Sequence, residues 1–338
     1  MTIIEPQPEL YTAARTGTVF VQLERGVISA RGNDRLDLLH RLSTNATLQL
    51  QPLEETTTIL TSDKGRIVEV VRVLALEDSI LMILMGAEVG PTIAWLDRYT
   101  IMDDFTTADA TPEYAVLGLH GEQARMIISG LLESPTPDSG HFLRVEHRDG
   151  KVIALRDNRI SGAGGFLLLV SRSILEEVIG RLEDSGARRI DNETFETLRI
   201  EAGQPAMGRE LTEVYNPLEA NLVQLISWTK GCYIGQEVIA RLDTYDKVQR
   251  HLVGIVLEGR IEAGGTDELG VIDPVEGKSI GKITSLAWSP SLDAEIALAY
   301  IRTQYAIPGA EVAIVSPASD SASARLARGR ITRLPFDL

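Results

Sequence analysis

The chain has 338 residues, 44% of them hydrophobic and 24% charged, with a net charge of −15. That balance suits a soluble globular protein, and at ~150 residues per domain the length suggests two or three domains. The acidic surface disfavours non-specific binding to phosphate backbones but leaves room for a local basic groove. The lone cysteine, Cys232, rules out an intramolecular disulfide and argues against a cluster or zinc site held by cysteines of this chain alone.

Residues 1–10 lack the basic and apolar regions of a signal peptide. The longest apolar run, 80–85, is far below the ~20 residues that span a bilayer. The expectation is a cytoplasmic chain with no membrane role, and residues 1–17 read as a loosely held leader.

A strand is expected at 27–30, followed by a helix over 34–42 with Leu36, Leu39 and Leu42 on one stripe. Residues 67–76 and 80–85 read as a strand hairpin joined by Glu77-Asp78-Ser79. Pro91 opens a helix through Tyr99. A strand at 115–119, a helix at 122–132, and strands at 151–156 and 166–170 follow. The last two flank Gly162-Ala163-Gly164-Gly165, which reads as a turn rather than a phosphate loop. Helices are expected at 173–182, 192–202 and 236–242, with Gly186 and Gly203 placed to end the first two. Beyond Gln249 helical periodicity disappears. Short β-rich runs at 252–257, 279–286, 296–300, 311–315 and 328–333 read as a small barrel or sandwich.

No Walker loop, dinucleotide fingerprint or His-Glu-x-x-His is present. The five histidines show no metal-ligand spacing, and His141 and His147 read as solvated. In 191–203, DNETFETLRIEAG, Phe195, Leu198 and Ala202 share a buried face, with Glu201 at its border in the last turn. A carboxylate there opposes the helix dipole. Two accounts fit: a salt bridge to an arginine such as Arg199, or a carboxylate accepting paired N–H donors from a ligand. In 228–241, WTKGCYIGQEVIAR, Lys230 and a helix start lie near Cys232. That setting could lower the thiol pKa. The plainer account is a small residue buried in a tight turn.

Lys230-Gly231-Cys232-Tyr233-Ile234-Gly235-Gln236-Glu237 resembles the signature K-G-C-Y-x-G-Q-E of the YgfZ family. Arg199-Ile200-Glu201-Ala202-Gly203-x-Pro resembles a segment shared by YgfZ and the glycine-cleavage T-proteins. Asn216-Pro217-Leu218-Glu219-Ala220 and the run Gly281-Lys282-Ile283-Thr284-Ser285 are similar to further elements of that superfamily. The resemblance implies an α+β, T-protein-like, three-lobed fold around a folate-binding opening. Two interleaved lobes would occupy 1–246 and a C-terminal β-barrel 247–338. It implies tetrahydrofolate, or a one-carbon derivative, as cofactor. Glu201 would bond the pterin, Phe195 and Arg25 would stand where YgfZ carries tryptophans, and Lys230 and Tyr233 would add contacts. Cys232 would be the reactive group, and no metal site is implied.

T-proteins carry G-G-x-x-D-D on the strand lining the folate. Here the catalytic second aspartate aligns with Val70 and the first with Glu69, which strand alternation turns to the other face. That departure argues against methylene transfer. The resemblance therefore implies a folate-binding accessory protein that supports iron–sulfur clusters, including those of tRNA-modifying enzymes. Its partners would be iron–sulfur client or assembly proteins, without direct nucleic-acid binding. The alternatives are a folate-dependent aminomethyltransferase or demethylase, with Glu69 or Asp63 as base, and a folate-free interaction module.

Overall fold

A computed structural model describes residues 3–160, 164–261, 269–316 and 325–338. The chain begins with α1 (Pro8–Thr16), β1 (Thr18–Leu23), β2 (Val27–Arg31) and α2 (Arg35–Leu42). Next come β3 (Glu55–Thr61), β4 (Ile67–Ala75), β5 (Ser79–Leu84), α3 (Gly90–Tyr99) and β6 (Thr106–Asp109). A second stretch holds β7 (Tyr114–Gly121), α4 (Ala124–Leu132), β8 (Phe142–His147), β9 (Gly150–Arg156), β10 (Gly165–Ser171), α5 (Leu175–Asp184), β11 (Arg188–Arg189) and α6 (Asn192–Glu201). After α7 (Gln236–Thr244) come the strands β12 (Arg250–Glu258), β13 (Gly270–Ile272), β14 (Ser279–Ser289), β15 (Ala294–Arg302), β16 (Glu311–Val315) and β17 (Arg325–Thr332).

These strands form three sheets. One has the order β3-β4-β5-β2-β6, the second β11-β1-β7-β10-β9-β8, and the third is a closed barrel, β12-β15-β14-β13-β16-β17. The chain enters the second sheet with β1, leaves to build the first, and returns at β7. The two open sheets pack face to face through Val27, Leu74 and Ile83 on one side and Val116, Ile153 and Leu169 on the other. Their outer faces are covered by α2 and α3 and by α4 and α5 respectively. β4 is a run of β-branched and apolar residues because neither face meets water, the pattern of a fully buried strand.

The strands and helices expected from the sequence are present, with ends shifted by one to three residues. Thr18–Leu23 and Glu55–Thr61, not singled out from sequence, are also strands. The expected turn at Gly162-Ala163-Gly164-Gly165 has its first two residues outside the described residues. The N-terminal segment departs furthest from expectation. Instead of a loose leader, residues from Pro8 to Thr16 form a helix whose Tyr11 is buried against Val19, Val21 and Leu198. The Tyr11 hydroxyl donates to Glu201 Oε1 at 2.6 Å, a tertiary contact with no local sequence signal.

Replacing Tyr11 by Phe keeps the packed ring but removes a buried hydroxyl donor to a carboxyl group. It is expected to lower unfolding stability by about 1–3 kcal/mol in urea titration. Stability equal to wild type would show that the helix is not held by this contact.

Candidate functional site

α6 sits where the three sheets meet. Asp191 caps it, accepting a hydrogen bond from Thr194 N at 2.8 Å. Its Ile200 packs with Ile59, Ile67 and Val70 of the first sheet and Leu298 of the barrel. Its Phe195 packs with Val19 and Val21 of the second sheet. Beside α6 lies a cavity of about 340 Å³. That is within the usual range for a small-molecule site.

The walls of the cavity come from chain crossings between elements. Arg25 arrives on the β1–β2 connection, Met85 and Gly86 at the exit of β5, His120 on β7, Asp157 and Arg159 after β9, and Met207 and Arg209 after α6. Phe195 and His120 stack, with ring centroids 6.1 Å apart and planes inclined by 29°. Burial pulls the imidazole pKa down to about 4, so His120 is neutral at pH 7. Neither ring nitrogen of His120 has a hydrogen-bond partner among the described residues.

Charge in the cavity is mostly paired. Arg159 grips Asp157 with two bonds of 2.7 Å. Burial alone would raise the Asp157 pKa, but the adjacent guanidinium outweighs it and holds the carboxyl well below the usual range. Glu196 is shared by Arg199 at 3.0 Å and Arg209 at 3.1 Å. Arg25 donates to the Met85 carbonyl at 2.8 Å. Burial, with the nearby charge of Arg159, lowers the Arg25 pKa to about 10. It stays protonated, and among the described residues it makes no ion pair.

Glu69 occupies the place where sequence alternation pointed its side chain away from the site. Its carboxyl folds back onto the backbone. Oε1 accepts from Val70 N at 2.8 Å and from Gly86 N at 3.3 Å. Gly86 has to be glycine-sized, because a methyl group there would come within 2.8 Å of Glu69 Oε2. The carboxyl therefore lies against a wall residue of the cavity. Burial raises its pKa to about 7, against the opposing pull of backbone N–H donors and Arg25. Val70 itself is buried among Ile59, Ile67 and Ile200, an apolar setting.

Of the residues expected from sequence to bind a cofactor, Phe195 and Arg25 line this cavity. Glu201 does not. Its Oε1 accepts from Tyr11 and from Ser289 of the barrel, both at 2.6 Å, and its Oε2 is buried without a partner. The expected bridge from Glu201 to Arg199 is absent, since Arg199 pairs with Glu196 and Glu210. Lys230 is turned onto the C-terminal end of α2, where Nζ donates to the carbonyls of His40, Ser43 and Asn45 at 2.5, 2.6 and 2.8 Å. These include carbonyls a helix end leaves unpaired. Tyr233 is buried with Leu218, Ile226 and Ile239, and burial pushes its phenol pKa up to about 12. Cys232 is exposed rather than buried in its turn, and it is not part of the cavity wall. His120, Asp157, Arg159 and Arg209 went unnoticed in the sequence. His120 did carry a signal: it is an imidazole in the mostly apolar run Tyr114–Gly121.

The chain matches the GCVT N-terminal domain over residues 11–230 and the glycine cleavage T-protein C-terminal barrel domain over residues 250–331. The chain belongs to the glycine cleavage T-protein family. Among its relatives is an Arabidopsis thaliana protein named "Putative transferase At1g60990, chloroplastic", 30% identical over 313 residues, covering 90% of this chain and 70% of that one. An aminomethyltransferase of Thermus thermophilus is 28% identical over 288 residues, covering 84% and 79%. The crystal structure of the glycine cleavage system aminomethyltransferase T from Bartonella henselae superposes with a TM-score of 0.82 at 18% identity, over 97% of this chain and 89% of that one. The family fold is thus that of two open sheets and a closed barrel. Among the described residues, no helix is long and apolar enough to cross a membrane.

The raised pKa of Glu69 has a consequence for stability. Below about pH 4.5 the carboxyl is protonated in both folded and unfolded chains. Between there and pH 7 the unfolded chain releases a proton that the folded one keeps, so stability falls as pH rises. Glu69→Gln removes this penalty. The variant is expected to exceed wild type by up to ~3 kcal/mol at pH 8, with the difference vanishing near pH 4. A difference that does not vary with pH in denaturant titrations would show that the carboxyl is not desolvated.

Proposed function

We propose that this chain binds a reduced folate, tetrahydrofolate or a one-carbon derivative, in the cavity beside α6. We further propose that it acts as a cytoplasmic accessory protein of the YgfZ-like branch, supporting iron–sulfur clusters, including those of tRNA-modifying enzymes. The observation that carries the folate reading is the flat aromatic surface of Phe195 on His120 in the cavity wall. A pterin has π-faces for that surface. Arg25, unpaired and protonated, suits either a π-face or a carboxylate of the ligand. Bound there, a reduced folate would supply a nitrogen able to accept a one-carbon unit.

Support for an accessory role over methylene transfer comes from Val70, an aliphatic group packed with Ile59, Ile67 and Ile200 where the resemblance puts the family's catalytic aspartate. The iron–sulfur role rests on the resemblance of the 230–237 octapeptide, as does a redox or transient thiol role for Cys232. The exposure of Cys232 leaves it accessible to a partner protein. Iron–sulfur client or assembly proteins are the partners this reading requires, with no direct contact to nucleic acid.

A specific observation favours a second reading, a folate-dependent aminomethyltransferase or demethylase. Glu69, bonded to the backbone of the wall residue Gly86, has a pKa of about 7, the range in which one carboxyl can both take and return a proton. The named relatives are aminomethyltransferases or transferases.

Calorimetry with tetrahydrofolate is expected to show saturable binding, weakened roughly three- to tenfold by Phe195→Ala through loss of the aromatic surface. Glu201→Ala is expected to lower stability while leaving affinity unchanged. Turnover of the glycine-cleavage intermediate should be absent. Turnover that Glu69→Gln abolishes would replace the accessory reading with the second one. In a deletion strain, iron–sulfur enzyme activities and methylthio-modified tRNA should both fall, and the Cys232→Ala gene should fail to restore them. Unchanged levels in the deletion strain would remove the iron–sulfur role.

A further inference from the structure

A second and wider recess, of about 840 Å³, opens between the barrel and the 208–215 segment. Among the described residues its lining holds the cationic side chains Arg209, Arg250, Lys282 and Arg302 and no carboxylate. In a chain of net charge −15, with 48 acidic residues against 33 basic ones, an acid-free groove runs against composition. The pairing of β12 with β15 sharpens the point. Arg250 stands directly opposite Arg302 across the antiparallel ladder. Like charges in that position destabilise a sheet. Among the described residues neither guanidinium has a carboxylate partner to relieve it.

The nearest acids are committed elsewhere. Glu210 is bonded by Arg199 and Ser285, and Glu219 by Arg66 and the Asn216 N–H. The groove floor is stiff. Tyr215 stacks on Tyr300 with centroids 3.5 Å apart, and the Tyr300 hydroxyl donates to the Glu210 carbonyl at 2.9 Å. The Arg250 guanidinium lies over the Tyr215 ring, 5.7 Å from its centroid. Arg209 lines this groove and the cavity beside α6 alike, so the two are neighbours.

We propose that this groove is a second ligand site, one that takes a small molecule bearing two or more carboxylates or phosphates. An anion lying between Arg250 and Arg302 would relieve their repulsion. Two sources supply that chemistry: the γ-linked glutamate tail of a folate seated in the neighbouring cavity, or a free phosphoanion. The first source rests on the folate reading given above, and the second does not.

The test compares wild type with the Arg250→Gln/Arg302→Gln double variant by calorimetry at low salt. Probes are monoglutamyl and triglutamyl tetrahydrofolate, tri-γ-glutamate and pyrophosphate. The double variant loses a like-charge pair, so its melting temperature should be no lower than that of wild type, which checks folding. A folate-tail site predicts triglutamyl binding about tenfold tighter than monoglutamyl in wild type, an advantage lost in the double variant while monoglutamyl binding is kept. A phosphoanion site predicts pyrophosphate binding that the double variant loses, with the two folates equal. If neither folate binds while pyrophosphate does, the folate reading falls and the anion site stands. Failure of every probe to distinguish the double variant from wild type would overturn the proposal.

Discussion

A buried guanidinium has to be paired, and Arg199 meets that demand with groups from four parts of the chain. It reaches Glu196 on its own helix, the Gln204 carbonyl in the following loop, Glu210 beyond it, and Ser285 on the barrel strand β14. Removing one partner from such a set leaves charge stranded in a low-dielectric interior, which is costly. The network therefore fixes α6 against the barrel. Glu201, two residues on, adds Ser289 of the barrel and Tyr11 of the N-terminal helix. With α6 held in this way, Phe195 faces the space left between the open sheets, and the cavity follows from that placement.

The octapeptide at 230–237 has a structural explanation that does not involve the cavity. Lys230 closes off the end of α2, at the cost of a pKa that burial lowers to about 8. Gly235 adopts φ +81° and lies so close to the β3–β4 turn that a methyl group would sit 2.4 Å from the Ser62 carbonyl. Thr61 donates to the Ile234 carbonyl at 2.8 Å at the same junction. Thus the motif clamps the turn that precedes β4, the strand bearing Glu69 and Val70. Cys232 is exposed, which separates its chemistry from the folding role of Lys230 and Gly235.

Val70 gives this part of β4 an aliphatic group, with the acid Glu69 beside it in the chain. Val70 joins the hydrophobic seam between the first sheet, α6 and the barrel. Glu69, the third residue of β4 and paired with Leu60, turns its longer side chain back onto Gly86. The carboxyl is held on the backbone of the wall residue Gly86, and burial raises its pKa to about 7.

Local pattern in the sequence was enough to place most helices and strands, because alternation, helical stripes and Gly or Pro stops act over a few residues. It also carried the family, through 199–205 and 230–237, and singled out Phe195 and Arg25. It misjudged residues 8–16, since the bond that holds them spans 190 positions from Tyr11 to Glu201. It could not foresee that the Glu69 carboxyl bonds Gly86, 17 positions away. Asp157, Arg159, Arg209 and the opposed pair Arg250 and Arg302 are ordinary charges until the sheets are assembled. The sequence by itself determined which segments are helical or extended and which family they compose. Tertiary structure alone decided which charges meet, since pairing, burial and repulsion are set by distance in space rather than along the chain.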